Sequence, residues 1–161
     1  MDRGKGMEAE RGLEPVEILL VEDNPGDVRL ILEAFREGKI YNHMNVVNDG
    51  VEALAFLRRE GPYANVTRPD LILLDLNLPK KDGRDVLAEI KEEESLKRIP
   101  VVILTTSVAE KDILETHRLH ASSYITKPVD FAQFVTVVKL IEEFWFNVIK
   151  LSKGEPADVS S

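Results

Sequence analysis

The sequence contains no cysteine. Disulfides, thiolate metal sites and cysteine nucleophiles are therefore excluded. Histidine is scarce as well, with three in 161 residues, so a metal ion would have to be held mainly by oxygen. No apolar run reaches the roughly 18 residues that a membrane-spanning helix needs. The opening stretch MDRGKGMEAERGLEP carries mixed charge and no apolar segment of the signal-peptide kind. A cytoplasmic protein with no membrane contact is expected. Positive charge is also in deficit: 21 basic against 29 acidic residues give a net charge of −8. A surface of that sign repels a phosphate backbone, so nucleic acid is not an expected partner.

What is present fits one domain. The 43% hydrophobic and 31% charged fractions are those of an ordinary globular chain. At this length, folding hides roughly two-thirds of the unfolded surface. Residues 1–15 read as a flexible N-terminal arm, 16–151 as the domain and 152–161 as a polar tail. Within the domain, short apolar runs alternate with longer amphipathic stretches, the pattern of βα units around a parallel sheet covered on both faces. Strands are predicted at Ile18–Val21, Met44–Val47, Leu71–Leu74, Val101–Leu104 and Ser123–Thr126. Helices are predicted at Pro25–Glu37, Val51–Glu60, Arg84–Glu94, Glu110–Leu119 and Phe131–Lys150. Asn24, Asp49 and Asp130 stand where helix caps belong. Gly61–Pro69 reads as a loop. Right-handed crossovers then favour an open, doubly wound α/β sheet of five parallel strands in the flavodoxin-like order 2-1-3-4-5.

Such sheets carry their sites past the carboxyl ends of the strands. There the sequence places Glu22 and Asp23 after the first strand, Asp75 after the third, Thr105 after the fourth, and Lys127 after the fifth. Three carboxylates, a hydroxyl and an ammonium converge. Crowded carboxylates repel unless a cation joins them, and Mg²⁺ suits one or two carboxylates with waters and a phosphate. Each residue has a plainer explanation alone: a solvated acid pair, a turn aspartate, a salt-bridging lysine, a strand threonine. The joint placement is what argues for a site, with Lys127 and Thr105 suited to phosphoryl oxygens.

Four motifs at these positions, VEDN at 21–24, DLNLPKKDG at 75–83, VVILTTS at 101–107 and YITKP at 124–128, strongly resemble the response-regulator receiver family. The likeness runs from about Val16 to Lys150. It implies a receiver fold in which Asp75 is the phosphoacceptor, Glu22 and Asp23 form the acid pair, and Lys127 and Thr105 act on the phosphoryl group. It implies further that Asn77 lends its main-chain carbonyl to Mg²⁺, and that Thr105 and Tyr124 form a switch pair. The implied partner is a sensor histidine kinase, and the implied activity is the domain's own phosphorylation and dephosphorylation, without turnover of a separate substrate. EDNPGDVRL, the GPYA loop and LDLNLPKKDGR look like the small regulators that serve phytochrome-type kinases. Thr106, Asn77 and Ser107 occupy positions where members of the family vary.

Two rival readings fit the sequence less well. A Mg²⁺-dependent aspartyl-nucleophile phosphatase would show a DxD pair after the first strand, whereas here the acids are adjacent and the nucleophile candidate follows the third. A flavodoxin-type binding protein would need a phosphate loop where EDNPGD offers acid. His117 and His120 lack ligating company and read as solvated helix residues. The last helix has an apolar surplus, 14 of the 21 residues from Phe131 to Leu151. A helix covering a sheet needs one stripe. Phe134, Phe144, Trp145 and Phe146 are therefore expected at a homodimer interface, the closed solution that the resembled regulators commonly adopt.

Overall fold

The computed structural model describes residues 15–38, 41–106, 109, 113, 114, 121–127 and 130–144, with only the backbone of Ser123, Val137, Leu140, Ile141 and Phe144. Strands β1 (Val16–Val21), β2 (Asn42–Val47), β3 (Leu71–Asp75), β4 (Val101–Thr105) and β5 (Ser123–Thr126) form one sheet. Its order is β2-β1-β3-β4-β5, and every pair is parallel. The described helices are α1 (Pro25–Glu37), α2 (Gly50–Arg58), α3 (Gly83–Glu92) and α4 (Phe131–Phe144), with one 3₁₀ turn at Gly61–Tyr63. Fold class and strand order agree with the sequence reading. The fourth predicted helix lies mostly outside the described residues, as do His117, His120, Ser107, residues 1–14, residues 145–150 and the tail.

Alternation along the strands explains why their sequences are apolar throughout. Leu19, Val21, Ile72, Leu74, Val101 and Ile103 face α2 and α3, while Ile18, Leu20, Leu71, Leu73, Val102 and Leu104 face α1 and α4. Both faces are dry from Ile18 through β1 and along β3 and β4, so no position there is polar until the strand ends. Each such side chain contributes about 1.5–3 kcal/mol relative to exposure. The edge strand β2 has a neighbour on one side only, and its sequence NHMNVV is correspondingly mixed, with Val47 alone fully buried.

Caps fix where the helices begin. The Asn24 side chain accepts from the Asp27 amide at 2.9 Å with Pro25 in the first helical position, and Asp49 accepts from the Glu52 amide at 2.8 Å. Asp130 accepts from the Gln133 amide at 3.0 Å. The sequence reading missed a further cap: Asp82 accepts from Arg84 and starts α3 at Gly83. A Cβ at position 83 would lie 2.3 Å from the Asp75 carbonyl oxygen, so only glycine lets the helix start that close to β3.

One placement corrects the sequence reading. Phe134 is 1% exposed, packed edge-on to Phe35 of α1 at 6.1 Å between ring centroids, and so belongs to the core within the chain. It lies one turn before the fully buried Val138, and both point at α1 and the sheet. The covered stripe is wide enough to take in Phe134 as well as Val138.

Candidate functional site

Three apolar strands deliver their first polar residues to one rim. Glu22 follows β1, Asp75 ends β3 and Thr105 ends β4, and these are 0%, 2% and 3% exposed. Because the strands are parallel and in register, with Val21 beside Val47 and Leu74, and Asp75 beside Leu104, these ends coincide. Asp23 is the exposed member of the cluster. Carboxylate oxygens of Glu22, Asp23 and Asp75 all lie within 4.8 Å of one another. Asn77 is exposed, and its amide donates to Asp75 Oδ1 at 3.0 Å.

Lys127 reaches into this cluster from the end of β5. Its Nζ lies 3.0 and 3.1 Å from the two Glu22 oxygens, 3.0 Å from Asp27 Oδ2 and 3.3 Å from Asp75 Oδ2. Its backbone amide donates to the Thr105 carbonyl at 2.7 Å, which ties the β5 exit to the end of β4. Burial alone would lower the Lys127 ammonium. The hydrogen bonds to Asp27 and Glu22, with the charges of Asp75 and Glu22, outweigh it and hold the lysine above its ordinary value. Glu22 moves the other way for an acid: burial, then the charge of Asp75, pushes it up to about 7. Lys127 and the Asn24 amide only partly offset this.

That imbalance bears on the metal. One ammonium meets three carboxylates, Glu22, Asp27 and Asp75, with Asp23 beside them, and Glu22 is driven toward its neutral form. A hard divalent cation among oxygen donors removes that penalty, and the donor set, all oxygen with one exposed carboxylate, fits such an ion. Thr105 and Tyr124 lie on one face of the sheet, since Tyr124 pairs with Ile103 and Thr105 is two residues further along. Tyr124 is half-buried against the α2 and α3 side of the core.

The structure thus gathers Glu22, Asp23, Asp75, Thr105 and Lys127, with Asn77 beside them. Among the expected interface residues, Phe134 is buried, while the Phe144 side chain, Trp145 and Phe146 lie outside the described residues. Asp27 was missed: the sequence shows it only as an acid in the first turn of α1. A signal was available in EDNPGD, because a helix starting right after the acid pair must turn its third residue back toward the strand ends.

Comparison with known proteins adds four findings. The profile of the Response regulator receiver domain matches residues 18–139. Response regulator Rcp1 of Synechocystis sp. (strain ATCC 27184 / PCC 6803 / Kazusa) is 49% identical over 137 residues, which are 85% of this chain and 93% of that protein. Among solved structures, the phosphorylated cyanobacterial phytochrome response regulator RcpA is 56% identical, with a TM-score of 0.74 over 83% of this chain and 96% of the other. The Mn²⁺-bound form of Rcp1 has a TM-score of 0.73 at 49% identity, over 83% of this chain and 96% of the other.

Proposed function

This chain belongs to the response regulator receiver domain family of two-component signalling, and from that premise we propose that Asp75 takes a phosphoryl group from a histidine kinase with Mg²⁺ as the metal. The single observation that carries the reading is the convergence of Glu22, Asp23, Asp75 and Lys127 on one rim, with more negative charge than the chain itself compensates.

Asp75 is buried at the end of a central strand, and the Asn77 amide on Oδ1 together with Lys127 on Oδ2 fixes its carboxylate. One oxygen attacks the phosphorus of a phosphohistidine. The P–N bond breaks, and the imidazole leaves with the electron pair and takes up a proton. Transfer of this kind depends on positioning and on neutralising charge on the phosphoryl oxygens. Lys127 supplies a fixed positive charge, and Thr105, at the end of β4, offers a hydroxyl. Asp23, Asp75 and the Asn77 carbonyl would hold the Mg²⁺, with Glu22 acting through water; the bound ion would supply further charge neutralisation. Water attack on the aspartyl phosphate resets the site, releasing phosphate and the Asp75 carboxylate. Phosphorylation replaces the single carboxylate charge of Asp75 with a dianionic group bearing three outward oxygens, which draws Thr105 inward and frees space for Tyr124. The surface formed by β5, α4 and the segment between β4 and β5 would then change.

The likeness to a phytochrome response regulator supports a phytochrome-type kinase as donor, and the apolar surplus of the C-terminal helix supports a homodimer with Phe144, Trp145 and Phe146 as its apolar contacts. The central test is labelling by acetyl phosphate or a phosphorylated kinase. Wild type is expected to be labelled and Asp75→Asn is not; phosphate stably recovered on another residue of the mutant would falsify the assignment. For the dimer, Phe144→Asp or Phe146→Asp is expected to yield a folded monomer. Sedimentation of wild type as a monomer at tens of micromolar, with and without a phosphoryl mimic, rejects it.

A further inference from the structure

Asp27 has no part in the metal cluster, yet it holds Lys127 at 3.0 Å, closer than Asp75 does at 3.3 Å. A helix-capping role does not explain that contact. Asn24 already satisfies the Asp27 amide, and the carboxylate reaches out to a lysine a hundred residues further along the chain. A favourable interaction with the helix N-terminus would be served equally by a side chain facing water.

An ammonium has three N–H donors, and Glu22, Asp27 and Asp75 occupy them. A phosphoryl group on Asp75 brings new oxygens to the same ammonium, so one existing contact must loosen. Glu22 is the costly one to release, because its side chain is 0% exposed and an unpaired charge there has no access to water. Asp27, with its side chain 15% exposed in the first turn of α1, can be hydrated and is steadied by the helix end.

We propose that Asp27 is a positioning residue that holds Lys127 in the resting state and yields it when the phosphoryl group arrives, so that it sets how readily the site accepts one. This rests on the phosphoacceptor reading of Asp75 and adds a competitor for its lysine. Asp27 opposes occupation of the site while leaving the acceptor itself untouched.

Beryllofluoride, which adds to a carboxylate oxygen as a phosphoryl group does, reads the competition without turnover. Its dissociation constant would be measured by calorimetry at saturating Mg²⁺ for wild type, Asp27→Asn, Asp27→Glu and Glu33→Gln, with folding checked by thermal unfolding. Asp27→Asn is expected to tighten binding by roughly three- to tenfold, the scale of about half to one pK unit of interaction. Asp27→Glu is expected to stay near wild type, because the competing charge returns. Glu33→Gln, which removes the same charge from α1 with no contact to Lys127, is expected to change nothing. Unchanged or weaker binding in folded Asp27→Asn overturns the proposal, and so does equal tightening in Glu33→Gln, which would reduce the effect to net charge. Wild type that binds no beryllofluoride overturns the acceptor reading instead, a result distinct from either.

Discussion

Two clusters of charge sit on the same sheet and solve opposite problems. On the surface between α2 and α3, Arg58 pairs with Glu89 and Glu93, and Lys81 pairs with Glu89. Two cations meet two anions, each about a third exposed. The hydrogen bonds from Lys81 and Arg58 hold Glu89 below the usual carboxylate range. At the strand ends, three carboxylates share Lys127 with Asp23 close by, and Glu22 is raised instead. Balanced, wet charges settle one another, whereas an unbalanced, buried set stays poised for a cation. The direction of a carboxylate's shift separates a structural network from a site that needs a ligand.

The contrast breaks most visibly at the two cations. Without Mg²⁺, Lys127→Ala should destabilise the fold by about 3–5 kcal/mol, since it strands buried carboxylates. Arg58→Ala should cost no more than about 1 kcal/mol, as exposed pairs do. Chemical denaturation of both variants measures the difference, and added Mg²⁺ should narrow the gap to wild type in the first alone. Comparable losses would erase the distinction.

Metal binding sharpens it next. Asp23→Ala should weaken Mg²⁺ binding by at least about tenfold, with Glu22→Ala smaller because it acts through water. Glu93→Ala, in the balanced cluster, should leave it unchanged. Calorimetric titration of the three variants decides; equal Mg²⁺ affinity in wild type and Asp23→Ala would sink the ligand assignment.

The smallest effect is a pH dependence. A carboxylate lowered on folding contributes stability that is present above its unfolded value of 4.5 and disappears as pH falls through the folded value. Glu89→Gln should therefore cost at most about 1 kcal/mol at neutral pH, after screening at a partly exposed site. The gap to wild type should close in acid and shrink in high salt. A gap that persists well below pH 4.5 would show that packing, and not charge, carries it.

Much of this was legible in the sequence for a physical reason. Strands buried on both faces admit no polar residue, so the first one after each apolar run marks the rim, and Glu22, Asp75 and Thr105 stand out by that alone. The edge strand was read two residues short, because Asn42 and His43 look like loop where only one neighbour demands apolarity. Asp82 escaped notice inside a motif already assigned to the site, although it also caps α3. Phe134 was misplaced because periodicity gives the centre of an apolar stripe and not its width, which Phe35 on another helix decides. The place of Asp27 shows only in the spacing of EDNPGD, because its partner stands a hundred residues away.

The mixed sequence of β2 has a further consequence. An open sheet ends in a strand whose outer amides and carbonyls are unclaimed, a template on which another chain can grow. Here that strand carries Asn42, His43 and Asn45 among its apolar residues, while the apolar runs Ile18–Val21 of β1 and Leu71–Leu74 of β3 lie shielded inside. The opposite edge, β5, is only four residues long. Polarity on one edge and brevity on the other guard the sheet against aggregation, so replacing Asn42, His43 and Asn45 with valine would leave the signalling rim intact and invite fibrous assembly.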